Sequence, residues 1–201
     1  MAITSAAELR ALYGETAPRA ARKVLDRLDG HCRQFIRHSP FVLIATSDGQ
    51  TVDVSPKGDP AGSVVVEDDR HLLLADRPGN KRIDGLLNIL RNPRIATLFL
   101  IPGVRETLRV NGTATIHDEP EWLDRCRIKG RPPVTVTRVR VEQVFLHCAK
   151  ALLRSSLWDP ASWPESRPVP VMGEMLRDHC GDDAAPESEA AMLARYTEAL
   201  Y

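Results

Sequence analysis

Between residues 41 and 146 the chain is a succession of short β-rich runs separated by turn signals, with room for only one helix among the first five. Residues 41–46 (Phe-Val-Leu-Ile-Ala-Thr) lead into Ser47-Asp48-Gly49-Gln50, whose Asp-Gly pair is a hairpin signal, and residues 51–55 return as the partner strand. Val64-Val65-Val66 and residues 71–75 form a second pair around the acidic turn 67–70. A loop over 76–82 then opens a helix predicted for 81–90, with Asn80 as its N-cap and Asn92-Pro93 as its stop. Two longer strands, 94–101 and 106–117, are joined at Pro102-Gly103, a short helix follows Asp118-Glu119-Pro120, and 134–146 reads as the last strand. Connections this short make the pairing mostly antiparallel. A set of six or seven such strands is expected to curl into a barrel, because closure removes exposed edges.

The flanks have a different texture. Residues 1–30 read as a helical extension: Ser5 can cap a first segment, Thr16 with Pro18 can open a second, and Ala21, Val24, Leu25 and Leu28 recur at helical spacing before Gly30 stops it. Residues 31–38 continue helically into the barrel region, 31–150. From 151 the chain is an extension of loop plus helix, rich in Pro and Trp over 158–170 and helical over 186–201. The expected class is therefore mainly β (α+β), an antiparallel split barrel of six or seven strands with flanking helices.

Composition narrows the function classes. Lys and Arg number 27 and Asp and Glu 27, a balance that argues against a general nucleic-acid binder. Five of the basic residues are Lys, leaving 22 Arg, the better fork for a phosphate. No apolar run approaches the roughly 20 residues of a membrane span, and Met1-Ala2-Ile3-Thr4-Ser5 lacks the basic start of a secretory signal. The four cysteines, Cys32, Cys126, Cys148 and Cys180, form no CxxC pair, so reduced thiols in a cytoplasm are expected and no metal site.

Three segments could carry chemistry. Asp76-Arg77-Pro78-Gly79-Asn80-Lys81-Arg82 follows an apolar strand and opens a helix; amide groups at a helix start favour an anion, Gly79 allows close approach, and Lys81 and Arg82 add charge. The same residues also read as a solvated basic helix start. Val52-Asp53-Val54-Ser55-Pro56-Lys57-Gly58 ends a strand at a sheet margin, where Lys57 can reach a nearby anion or simply face water. His147-Cys148-Ala149-Lys150, continuing to Trp158, sets polar and reactive side chains behind an apolar strand. No Ser-His-Asp or Cys-His pattern is visible, an absence that a cofactor with its own chemistry would resolve.

Taken in order, Ser55-Pro56-Lys57-Gly58, the block 72–82, Asn92-Pro93-Arg94 with its strand, and Leu108-Arg109-Val110-Asn111-Gly112 resemble the pyridoxamine 5′-phosphate oxidase-like flavin-binding split barrels over about residues 31–150. Residues 147–158 are similar to a bacterial subfamily of that group. The resemblance implies a homodimer with FMN at the subunit interface, no nucleic acid and no membrane partner. Asn80, Lys81 and Arg82 would meet the FMN phosphate, with Lys57 assisting. Backbone at Val54, Ser55, Ala75 and Asp76 would line the isoalloxazine, Thr107 or Arg109 would reach it from the next strand pair, and Lys150 and Trp158 are added by their place in the 147–158 segment.

The C-terminal segment is unlike that of the true oxidases, so the resemblance implies fold and cofactor rather than the named reaction. The expected activity is transfer of hydride or electrons between a small molecule and bound FMN. The alternatives are a non-catalytic flavin-binding protein for storage or sensing, and a split barrel binding haem, through His147 or His117, or another anionic ligand.

Overall fold

The computed structural model describes residues 1–183 and 185–200. Seven strands, β1 (Phe41–Ser47), β2 (Val52–Gly58), β3 (Val65–Val66), β4 (His71–Asp76), β5 (Arg94–Leu100), β6 (Thr107–His117) and β7 (Thr135–His147), form one antiparallel sheet in the order β2-β1-β5-β6-β7-β4-β3. The sheet curls around a core of Ile36, Val42, Leu72, Phe99, Leu108, Val110 and Val139, all at most 4% exposed. It does not close into a continuous ladder: β2 and β3 remain its two edges. Two ion pairs bridge the split instead. Lys57 on β2 pairs with Asp76 at the end of β4, and Asp59 Oδ2 accepts from Arg77 Nε at 3.0 Å.

Eight helices flank the sheet among the described residues: α1 (Ala6–Tyr13), α2 (Pro18–Arg22), α3 (Gly30–His38), α4 (Asp84–Arg91), α5 (Pro120–Arg125), α6 (Lys150–Ser155), α7 (Met172–Cys180) and α8 (Glu189–Ala199). Ser5 caps α1 in a full capping box with Glu8, as its spacing predicts. α3 drops Cys32 and Ile36 into the core. α5 covers the other face of β4 and β7, where Leu73, Val136 and Cys126 pack with Trp122 and Leu123. No described helix is long and apolar enough to cross a membrane.

Four expectations need correction. Thr16 does not cap α2; Ala17 precedes it without a side-chain bond. The helix ends at Arg22, and the Val24–Leu28 spacing does not continue it: Leu25 pairs with Val144 through two 2.9 Å backbone bonds. β7 outruns β4, which pairs with it only as far as Arg140, and its free backbone groups recruit the extension. Gly30 opens a helix rather than stopping one, since Asp29 accepts from Cys32 N at 2.8 Å as the N-cap of α3. The tail holds three helices and a 3-10 turn at Pro160–Ser162, not loop plus one helix. Tyr201 lies outside the described residues.

Candidate functional site

Along β2 the usual alternation is inverted. Val52, Val54 and Pro56 face solvent, with Val52 73% and Val54 60% exposed, while Asp53, Ser55 and Lys57 are half-buried. The register sets Asp53 opposite Thr46, Ser55 opposite Ile44 and Lys57 opposite Val42, so a carboxylate, a hydroxyl and an ammonium lie on the interior side. Polar groups are costly there unless the interior is a wet or ligand-filled cleft. A cleft of about 620 Å³ occupies that position, between β2, the end of β4, the 77–83 loop and α4. Its volume falls within the range of cofactor sites. Buried Leu74, Ile89 and Ile95 form its depth, and exposed Asn80, Lys81 and Arg82 its rim.

The loop leading to α4 is held in an unusual conformation. Lys81 and Ile83 both have left-handed φ angles, 63° and 49°. For non-glycine residues, and a β-branched one in particular, that costs on the order of 1–3 kcal/mol each and is characteristic of ligand clamps. Asn80 is not the N-cap: its Oδ1 accepts from Arg82 N at 3.1 Å, and α4 starts only at Asp84. The N-cap position is Ile83, which has no side-chain acceptor to offer the first turn. The helix start therefore presents amide groups beside two basic side chains with no side chain capping it.

Charge in the cleft is largely compensated. Arg82 Nε pairs with Asp84 at 2.8 Å and Lys57 with Asp76. Asn88, 4% exposed on α4, donates to Asp53 at 2.6 Å and to Thr46 Oγ1 at 3.3 Å, fixing the Asp53 carboxylate against the wall. Arg77 Nη2 donates to Cys126 O at 2.9 Å, tying the loop to α5. Among the described residues Lys81 has no carboxylate partner within 4.0 Å.

Residues 28–148 match the family model described as pyridoxamine 5′-phosphate oxidase. The chain belongs to that family. No curated protein matches it. Among solved structures, HupZ of Group A Streptococcus is 22% identical with a TM-score of 0.47, over 59% of this chain and 93% of that one. General Stress Protein 26 from Bacillus anthracis is 15% identical, TM-score 0.39, over 57% and 88%. An FMN-binding protein from Syntrophomonas wolfei is 12% identical, TM-score 0.43, over 58% and 88%.

Of the residues singled out in the sequence, Val54, Ser55, Lys57, Ala75, Asp76, Asn80, Lys81 and Arg82 all line the cleft of this pyridoxamine 5′-phosphate oxidase family member. Thr107, Arg109, Lys150 and Trp158 do not. Thr107 and Arg109 lie on β6, opposite His147 and Phe145 of β7. Lys150 begins α6, and Trp158 donates through Nε1 to Val104 O at 3.0 Å, pinning the tail to the β5–β6 turn. His117 is engaged by Thr115 at 2.8 Å and Glu119 at 3.3 Å, and His147 Nε2 is buried. Sequence reasoning missed Asp53, Thr46 and Asn88. The polar-apolar alternation over 52–57 carried the signal for Asp53, and an Asn within the apolar stripe of the predicted helix carried it for Asn88.

Proposed function

We propose that the cleft binds FMN and that the protein is an FMN-dependent oxidoreductase acting on a small molecule in the cytoplasm. The uncapped start of α4, beside Lys81 and Arg82, is the observation that carries this reading. A phosphate monoester supplies the acceptor that Ile83 lacks, gains the helix-start amides, and gives Lys81 a counter-charge. Lys57 stands across the cleft as a further cation once Asp76 yields it. FMN, when bound, supplies the hydride or electron chemistry.

The chain's own residues then bind, orient and exclude water. Val54, Ser55, Ala75 and Asp76 form the walls of the slot, and Leu74, Ile89 and Ile95 keep its depth dry. Asp53, held by Asn88, offers an acceptor to a hydroxyl or N–H of the ligand.

The reading includes a homodimer. On the outer face, Val52, Val54 and Pro56 of β2 adjoin Leu43 and Ala45 of β1 and Ala96 and Leu98 of β5. An exposed apolar strip at the rim of a cofactor cleft fits a second copy. In such a dimer Thr107 serves the neighbouring cleft, which accounts for its distance from its own. Equilibrium binding of FMN to purified protein tests the assignment: saturable binding that is lost in the Lys81→Gln/Arg82→Gln double variant is expected, and equal binding in a folded double variant refutes it.

A further inference from the structure

The family match begins at residue 28, yet the preceding segment is fastened to the sheet at a specific place. The Leu25–Val144 pairing sets Lys23 beside β7, where its Nζ donates to Leu146 O at 2.7 Å and lies 5.4 Å from the centre of the Phe145 ring. Arg109, opposite Phe145 in the β6–β7 register, puts its guanidinium 5.4 Å from the same ring centre. His147 lies on the same ring, centroid to centroid 5.1 Å. Among the described residues neither Lys23 nor Arg109 has a carboxylate within 4.0 Å, unlike Lys57 and Arg82 in the cleft.

Two uncompensated cations sharing one aromatic ring repel each other, and the ring's quadrupole offsets only part of that. His147 Nε2 is buried without a hydrogen-bond partner, a condition that is costly and calls for an explanation. Burial first, then Arg109 and Lys23, hold the His147 ring below its ordinary pKa. An oxyanion held beside the two cations relieves the repulsion. We propose that Lys23 and Arg109, with His147 behind them, form a subsite on the outer sheet face for the oxyanion group, phosphate or carboxylate, of a small-molecule ligand. None of these residues lines the cleft of its own subunit.

The test is a titration of the FMN-saturated protein with inorganic phosphate and, separately, with sodium acetate, following the imidazole signals of His147 by NMR. A saturable shift is expected, with affinity weakened about tenfold or more in Lys23→Met and in Arg109→Met. Tighter phosphate binding marks a phosphate-bearing ligand and tighter acetate binding a carboxylate. Absence of saturation with both anions overturns the proposal, as does equal affinity in the two variants. Conversion of both variants to monomers with anion affinity intact also overturns it, since the two cations are then ion-pair partners of a second copy.

Discussion

Lys57 on β2 and Asp76 at the end of β4 pair across the split in the barrel, between strands that share no backbone ladder. The contact holds the cleft walls together and occupies a cation that an anionic ligand needs. Ligand and Asp76 therefore compete for Lys57. The Lys57 side chain is more than a third exposed, so solvent screens the pair and it contributes little. Asp76→Asn is expected to tighten FMN binding by about two- to fivefold, measured by quenching of flavin fluorescence. Weaker binding in that variant shows that Asp76 serves the ligand directly.

The clamp itself is more demanding. Replacing both Lys81 and Arg82 with Gln is expected to lower FMN affinity by about a hundredfold or more while circular dichroism stays that of the parent. Both side chains are exposed and neither packs in the core, so the fold has no need of them. A drop below about threefold with the fold intact places the phosphate elsewhere.

Asn88 ties α4 to the cleft wall from a buried position. Asn88→Leu removes the donor to Asp53 and leaves a half-buried carboxylate without it. The expected loss is about 1–3 kcal/mol in urea unfolding, together with weaker FMN binding because the Asp53 wall is released. Parental stability in Asn88→Leu contradicts the role given to this pair.

Much of the barrel was legible from the sequence, and the physical reason is local. The Asp-Gly hairpin, the acidic turn and the Pro102-Gly103 junction are short-range signals, and the strands they join appear at the expected places. The errors have long-range causes. Val24, Leu25 and Leu28 have helical spacing, but β7 extends beyond β4 and its unpaired edge draws Leu25 into a bridge. Asn80 has the chemistry of an N-cap, yet left-handed Lys81 and Ile83 delay the helix to Asp84. Two-thirds of the proposed site residues line one cleft because the anion loop and the β2 margin are each contiguous in sequence. Thr107, Arg109, Lys150 and Trp158 fell outside because a position in sequence does not say which face of a curled sheet a strand shows.

His147 gives a pH signature. Its folded pKa lies below the ordinary value near 6.5, from burial first and then Arg109 and Lys23. Protonation is thus disfavoured in the fold: this contribution to stability is complete above the unfolded pKa and is lost as pH falls through the folded one. The urea midpoint of the parent should therefore fall more steeply than that of His147→Gln as pH drops below about 6.5. Parallel profiles for the two proteins contradict this.

Val54 is exposed on the outer face although it borders the cleft. Placing a charge there by Val54→Glu should abolish self-association, seen as a halved mass in sedimentation equilibrium. A dimer that persists in Val54→Glu, or a parent that is monomeric throughout, removes the outer face of β2 from the interface.

The visible spectrum of the protein after incubation with FMN and removal of free ligand tests the central claim most directly. The account predicts retained flavin bands that bleach with dithionite and return in air, and their loss in Lys81→Gln/Arg82→Gln. A parent protein that is colourless after the same treatment, with its cleft still open to inorganic phosphate, would contradict it.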